Sequence, residues 1–214
     1  MRLDVNFHCS AVALTGCPRW KRVEIALAGR SNVGKSSLLN ALAGSPNLAR
    51  FSKTPGRTRS LNFFTLGERL ALVDLPGYGY AKMPRAEANK IALLMSQYLR
   101  QRRELRELVL IVDARRGPEN EELTIARGLQ DPNWRIGPPL NLILVGTKCD
   151  KLKGSDRACA VRRFEPIGVA PTLCSSRTGQ GIEQLRHEIL RLADGEVATR
   201  KCDSMKPAAC TCKC

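Results

Sequence analysis

The stretch that most constrains this chain is Gly29-Arg30-Ser31-Asn32-Val33-Gly34-Lys35-Ser36-Ser37. A short apolar run, Val23-Glu24-Ile25-Ala26-Leu27-Ala28, leads into it, and Leu38-Leu39-Asn40-Ala41-Leu42 leads out. Strand, glycine loop and helix in that order are the setting a phosphate-binding loop G-x-x-x-x-G-K-[ST] requires. The glycines let backbone N–H groups turn in around a phosphate at a helix N-terminus, which already favours negative charge. In such a loop Lys35 reaches the β- and γ-phosphates and the Ser36 hydroxyl holds Mg²⁺. The bland alternative is a glycine-containing strand-to-helix turn, and the fit of both flanks argues against it.

The rest of the chain reads as strands alternating with helices. Residues 1–22 hold one strand, alternating around Val5, Phe7, Cys9, Ala11 and Ala13, with a turn at Gly16-Cys17-Pro18. The loop's own strand and helix cover about 23–43, ended by Gly44-Ser45-Pro46. Residues 45–60 form a long polar, basic loop, a length that is usually functional. Leu61–Leu66 and Arg69–Asp74 read as a hairpin, so one strand should run antiparallel to the others. Pro84 to about Glu104 is helical, with Ile91, Leu94, Met95, Tyr98 and Leu99 as its core stripe and Arg100, Arg102, Arg103 and Arg106 as a solvated charge run. Leu108–Val112 and Leu140–Val145 read as buried strands, Glu119–Leu129 and 155–164 as helices, Ile167–Leu173 as the last strand and Ile182–Leu192 as the closing helix. This order predicts an α/β, three-layer P-loop NTPase fold: a mostly parallel sheet with one antiparallel strand and helices on both faces. The expected division is an N-terminal strand extension over 1–22, the nucleotide-binding domain over 23–194 and a polar tail over 195–214.

In such sheets ligands sit beyond the carboxyl ends of the strands, and the remaining motifs fall there. Asp74 ends an apolar strand and opens Asp74-Leu75-Pro76-Gly77, placed to support Mg²⁺ through water. Gly77 has no side chain, so its N–H can approach a γ-phosphate. Gly146-Thr147-Lys148-Cys149-Asp150 follows a buried strand. An aspartate there accepts from guanine N1–H and its 2-amino group, a donor pair that adenine lacks; discrimination of ~10⁴ follows from such pairing. Lys148 would pack its stem along the ring and tie this loop to the phosphate loop. Cys174-Ser175-Ser176 can close over the base, or simply cap a helix. In the long loop, Gly56-Arg57-Thr58-Arg59-Ser60 carries the candidate switch threonine, Thr58, with Thr54 as its rival across Pro55-Gly56.

Charge adds a partner class. Thirty-five Lys and Arg against twenty Asp and Glu give +15, which favours polyanions through counterion release. Aromatics are 5%, so phosphate contact is favoured over base stacking. No apolar run nears the ~20 residues that span a bilayer, and the start lacks a secretion signal, so a cytoplasmic protein without membrane association is expected. Cys202, Cys210, Cys212 and Cys214 cluster near the end, but C-x-C-x-C lacks the spacing of structural zinc sites; an oxidisable tail is the simpler reading.

Taken together, G-R-S-N-V-G-K-S-S, K-T-P-G-R-T-R-S-L-N-F-F, D-L-P-G-Y-G-Y-A-K and T-K-x-D resemble the EngB (YihA/YsxC) family of bacterial GTPases, within the TrmE-Era-EngA-EngB superfamily. The likeness runs over about residues 5–192. It implies Mg²⁺ at Ser36 and Thr58, phosphate contacts from Asn32 to Ser36 and at Gly77, and guanine contacts from Thr147, Lys148, Asp150, Ser175 and Ser176. It also implies GTP hydrolysis to GDP as a monomeric switch, with Lys35, Thr58 and Gly77 at the reacting phosphate. A role in large ribosomal subunit assembly, with rRNA and the subunit precursor as partners, and in cell division and septation, is implied likewise. Thr147 departs from the commonest N-K-x-D, and Ser176 stands at a usual alanine position. Tyr78 follows Asp74-x-x-Gly77 where Ras-like enzymes carry a water-orienting glutamine, so slow intrinsic hydrolysis is expected. Asn32 occupies the position that helps hold K⁺ in related GTPases, so K⁺ or a ribosomal element is expected to supply positive charge; the alternative is that Asn32 only shapes the loop. An ATP-using kinase, and a binding module with incidental hydrolysis, are the competing readings.

Overall fold

The computed structural model describes residues 3–48, 60–79, 84–153 and 156–191. Gly56, Arg57, Thr58 and Arg59, the rival Thr54, and the cysteine-bearing tail lie outside the described residues.

Seven strands form one sheet: β1 (Val5–Ala11), β2 (Val23–Gly29), β3 (Leu61–Leu66), β4 (Leu70–Asp74), β5 (Leu105–Asp113), β6 (Asn141–Thr147) and β7 (Thr172–Leu173), in spatial order β1-β3-β4-β2-β5-β6-β7. Pairing is antiparallel at β1–β3 and β3–β4 and parallel elsewhere, so β3 alone opposes the rest, as the hairpin predicts. The helices are α1 (Lys35–Ala43), α2 (Arg85–Gln101), α3 (Asn120–Gln130), α4 (Asp156–Arg162) and α5 (Ile182–Leu190).

Side-chain alternation along β2 explains the layers. Ile25 and Leu27 face a core completed by Leu38, Leu39 and Leu42 of α1 and Leu185 and Ile189 of α5. Ala26 and Ala28 face the other core, where their small size leaves room for Tyr98, Met95 and Leu94 of α2. The stripe Ile91, Leu94, Met95, Tyr98 and Leu99 is buried as its helical spacing predicts.

Three expectations are corrected. The last strand is only Thr172–Leu173; Glu165–Ile167 is a 3₁₀ turn instead, which Pro166 suits because its missing N–H is unpaired there anyway. The register of β1 on β3 shifts between Phe7 and Cys9. Hence Val5 and Ala11 enter opposite cores and Phe7 is left 38% exposed, its ring edge-on to Phe64 at 5.6 Å. Finally, Arg102 is not part of a solvated run. Its Nε and Nη2 donate to the fully buried carboxylate of Glu24, at the amino end of β2, at 2.5–3.1 Å. Tyr98 Oη and Trp20 Nε1 also donate to Glu24, each at 2.7 Å. A charge buried this deeply persists because it is paired and hydrogen-bonded.

Candidate functional site

The phosphate loop runs from the carboxyl end of β2 into α1, and its shape is forced by close approach. A Cβ on Gly29 would lie 2.7 Å from the Ile111 carbonyl oxygen and 2.9 Å from Val33 Cγ1, so only glycine lets the loop leave beside β5. Asn32 adopts φ 64°, in the left-handed region that asparagine tolerates. Lys35 opens α1, and its ammonium is paired with the carboxylate of Asp74 at the end of β4. Both side chains are about nine-tenths buried, at 10% and 8% exposed. Ser36 is half-buried and Ser37 exposed on the same first turn.

Beyond Asp74 the backbone stays on the sheet: Leu75 N–H donates to Leu27 O at 3.0 Å, and Leu75 and Pro76 are buried. Ser31 N–H donates to Tyr78 O at 2.8 Å, in an isolated bridge between Arg30 and Tyr78. A Cβ on Gly77 would stand 3.1–3.3 Å from Ser31 Oγ, Cα and N, so the absent side chain is what lets this segment lie against the phosphate loop. The Tyr78 ring turns into the core beside α3. Burial first, then the Glu122 carboxylate, raises its phenol well above the usual tyrosine range, so it stays protonated.

The segments at the ends of β6 and β7 close the other side. Thr147 Oγ1 donates its one hydrogen to Val33 O at 2.7 Å, with Val112 O the alternative acceptor at 3.2 Å, which sets the start of T-K-x-D against the phosphate loop and β5. Lys148, at φ 60°, donates to Asn32 O at 2.7 Å and to Asp113 Oδ2 at 3.0 Å. This is the tie expected of it. Asp113 was not singled out from the sequence, although an aspartate ending a buried strand of a doubly wound sheet is the signal that finds it. Burial works against its charge, but hydrogen bonds from Arg115 and Lys148 outweigh that and hold its carboxyl well below the usual range. Asp150 is half-buried, and Ser175 Oγ donates to its Oδ1 at 2.7 Å. That bond lowers the Asp150 pKa, so the carboxylate is ionised and oriented. Ser175 is 1% exposed and accepts from the N–H groups of Arg177 (3.3 Å) and Thr178 (3.2 Å). It shapes its own turn and sets Asp150, while Ser176 is exposed. Cys149 and Cys174 are buried, joined by Cys149 N–H to Cys174 O at 3.3 Å; burial pushes the Cys174 thiol up to about 12, which makes it an inert packing group.

A cleft of about 240 Å³ opens between the phosphate loop and the turn after β5, lined by Arg30, Asn32, Asp113, Arg116, Glu119 and Lys148 among others. Arg30, which sequence reasoning gave no separate role, bridges Glu119 (2.5 Å) and Glu121 (3.1 Å) at the start of α3.

A phosphate loop, a β4-end aspartate and a T-K-x-D loop on one edge of this sheet define a P-loop GTPase domain. The family model described as "50S ribosome-binding GTPase" matches residues 24–145. The "Probable GTP-binding protein EngB" of Desulfovibrio desulfuricans is 43% identical over 195 residues, covering 90% of this chain and 94% of that protein. The chain belongs to the EngB family. A crystal structure of a probable GTP-binding protein engB superposes with TM-score 0.62 at 24% identity, over 81% of this chain and all of that one. Era, in a crystal structure with MgGDPNP and a segment of 16S ribosomal RNA, shares the fold with TM-score 0.56 at 21% identity, over 81% of this chain and 57% of that one.

Proposed function

We propose that the protein is a GTP-driven switch that binds a precursor of the large ribosomal subunit in its GTP state and leaves after hydrolysis, and that cell division depends on it through that assembly. What carries the reading is the junction at Lys148. The ammonium of Lys148, two residues before Asp150, joins the phosphate loop at Asn32 to Asp113, and Ser175 holds the Asp150 carboxylate in place. A purine with guanine's donor pair satisfies that carboxylate; adenine leaves it unpaired. In this reading the main-chain N–H groups from Asn32 to Ser36 cradle the phosphates, and Lys35 exchanges part of its contact with Asp74 for the β- and γ-phosphates.

Ser36, which follows Lys35 in α1, brings a hydroxyl and Asp74, the ion-pair partner of Lys35, a carboxylate; both are hard oxygen donors of the kind that suits Mg²⁺ bound mostly by water and phosphate. A Mg²⁺ ion held by these residues would supply positive charge to offset that of the phosphate oxygens. Thr58 is its proposed second hydroxyl ligand, and Gly56–Ser60 the proposed switch segment. The protonated, core-facing Tyr78 phenol is a poor positioner of water, so intrinsic turnover is slow. Asn32 is exposed with its carbonyl held by Lys148, which leaves its side-chain amide for K⁺ or for a ribosomal group that supplies the missing positive charge. The protein acts as a cytoplasmic monomer. No helix among the described residues is long and apolar enough to cross a membrane.

The test is Asp150→Ala in paired calorimetric titrations with GDP and ADP, and in co-sedimentation with large-subunit precursors. Wild type should prefer GDP by ~10⁴ and sediment with the particles in GTP but not GDP; the variant should lose both behaviours. An undiminished preference for GDP in the variant overturns the guanine assignment and the switch built on it.

A further inference from the structure

The strands' amino ends form the pole opposite the nucleotide loops, and nothing in the switch reading uses it. Backbone hydrogen bonds bring three connecting segments together there. Val23 N–H donates to Arg69 O at 2.9 Å, Glu24 N–H to Glu104 O at 2.9 Å, and Arg102 Nη2 to Pro18 O at 2.7 Å. Arg22 also donates to Gly67 O. Residues 18–24, 67–69 and 100–107 thereby become one surface carrying eight Arg or Lys and four acids.

The acids are largely spent. Glu24 and Glu107 are buried, and Glu104 pairs with Arg102, which leaves Glu68 as the exposed acid of these segments. Arg19, Lys21, Arg69, Arg100 and Arg103 are exposed. Beneath them half-buried Arg135 donates to the main-chain oxygens of Leu99, Arg102, Leu105 and Pro138 and to no carboxylate among the described residues. An aromatic group sits within the basic patch. The Arg22 guanidinium lies 5.8 Å from the centre of the Trp20 ring, and the His8 ring is tilted 40° against it with centroids 5.0 Å apart.

We propose that this pole is a docking surface for the phosphate backbone of structured RNA. The proposal rests on the ribosomal reading above and assigns it a face. Guanidinium and ammonium groups projecting from three adjacent loops suit closely spaced phosphates, and Trp20 adds a flat edge for a sugar or an unpaired base. A lipid surface fits less well, because the exposed large apolar residues among those described (Phe7, Val12, Leu93, Ile136, Val161) are spread over β1 and the residue after it, α2, the loop after α3, and α4 rather than gathered on one amphipathic face. Since the pole is remote from the phosphate loop, RNA and nucleotide can be bound together.

The experiment compares wild type with the triple variant Arg19→Gln/Lys21→Gln/Arg103→Gln and with a control triple, Lys151→Gln/Lys153→Gln/Arg157→Gln, on the base-loop side. Anisotropy of a short end-labelled RNA duplex is followed across a KCl series, beside sedimentation with protein-stripped large-subunit rRNA, sedimentation with intact large-subunit precursors and flotation with phosphatidylserine vesicles. GDP affinity should be unchanged in the pole triple. The pole triple should bind the duplex at least about tenfold more weakly, with a log–log salt slope shallower by roughly 3, whereas the control should stay near wild type. Equal binding by wild type and pole triple, or a loss confined to the control triple, overturns the assignment while leaving the ribosomal reading intact. Wild type that ignores both RNA and precursor particles defeats the ribosomal reading itself. Binding to intact particles but not to stripped rRNA points to a protein partner, and flotation with vesicles to a lipid; either outcome also overturns the proposal.

Discussion

Two buried ion pairs lie at opposite ends of the central strands, and they differ in how fully they are satisfied. Glu24 with Arg102, at the amino ends, is saturated: the carboxylate receives Arg102 through two nitrogens, the Tyr98 hydroxyl and the Trp20 indole. Lys35 with Asp74, at the carboxyl ends, has only its own partner among the described residues. An ammonium has three donors and a carboxylate about four lone-pair sites, so the described residues leave most of that capacity unspent. A saturated buried pair fastens the fold; an unsaturated one at a strand end is open to a phosphate and a hydrated cation.

Breaking each pair in turn tests this division. The largest effect is expected from Lys35→Ala, which should lower single-turnover GTP hydrolysis by at least about 10²- to 10³-fold, since it removes the charge proposed to meet the β- and γ-phosphates. Arg102→Ala should behave in the opposite way. Urea unfolding should show a loss of about 3–5 kcal/mol from the stranded Glu24 charge, while GDP affinity per folded molecule stays unchanged. A variant that loses nucleotide affinity without losing stability would erase the contrast. The smallest effect concerns Asp113. Its carboxyl titrates below its unfolded-state value, so its contribution is complete above the ordinary carboxylate pKa of about 4 and is lost as pH falls through the lowered one. Asp113→Asn should therefore cost about 1–2 kcal/mol at neutral pH and flatten the fall in stability below about pH 4 in acid-unfolding curves.

The same contrast explains what could be read from the chain. Local periodicity and glycine spacing placed β2, α1, the hairpin β3–β4 and the stripe of α2, because each depends on neighbours within a few residues. They also placed Lys35 and Asp74, whose roles follow from a strand end and a loop. Glu24 and Arg102 escaped because their partnership spans 78 residues, and an arginine among arginines reads as surface. Thr147 was legible as a member of T-K-x-D, but its hydroxyl turns to Val33 and Val112, a choice fixed only when three strand ends meet. The brevity of β7 was hidden by an apolar run that Gly168 and the preceding 3₁₀ turn divide.

The rung between Ser31 and Tyr78 has a consequence for how a message leaves the site. It stitches the stretch after β4 to the start of the phosphate loop by a main-chain hydrogen bond, beside a long one from Ser31 Oγ to Gly77 O at 3.5 Å, and a bond of this kind is worth about 1 kcal/mol net. A stitch that weak can be undone and remade by whatever a neighbouring terminal phosphate gains or gives up. If the protein is the switch proposed above, a fastening of that strength is firm enough to be legible and loose enough to forget.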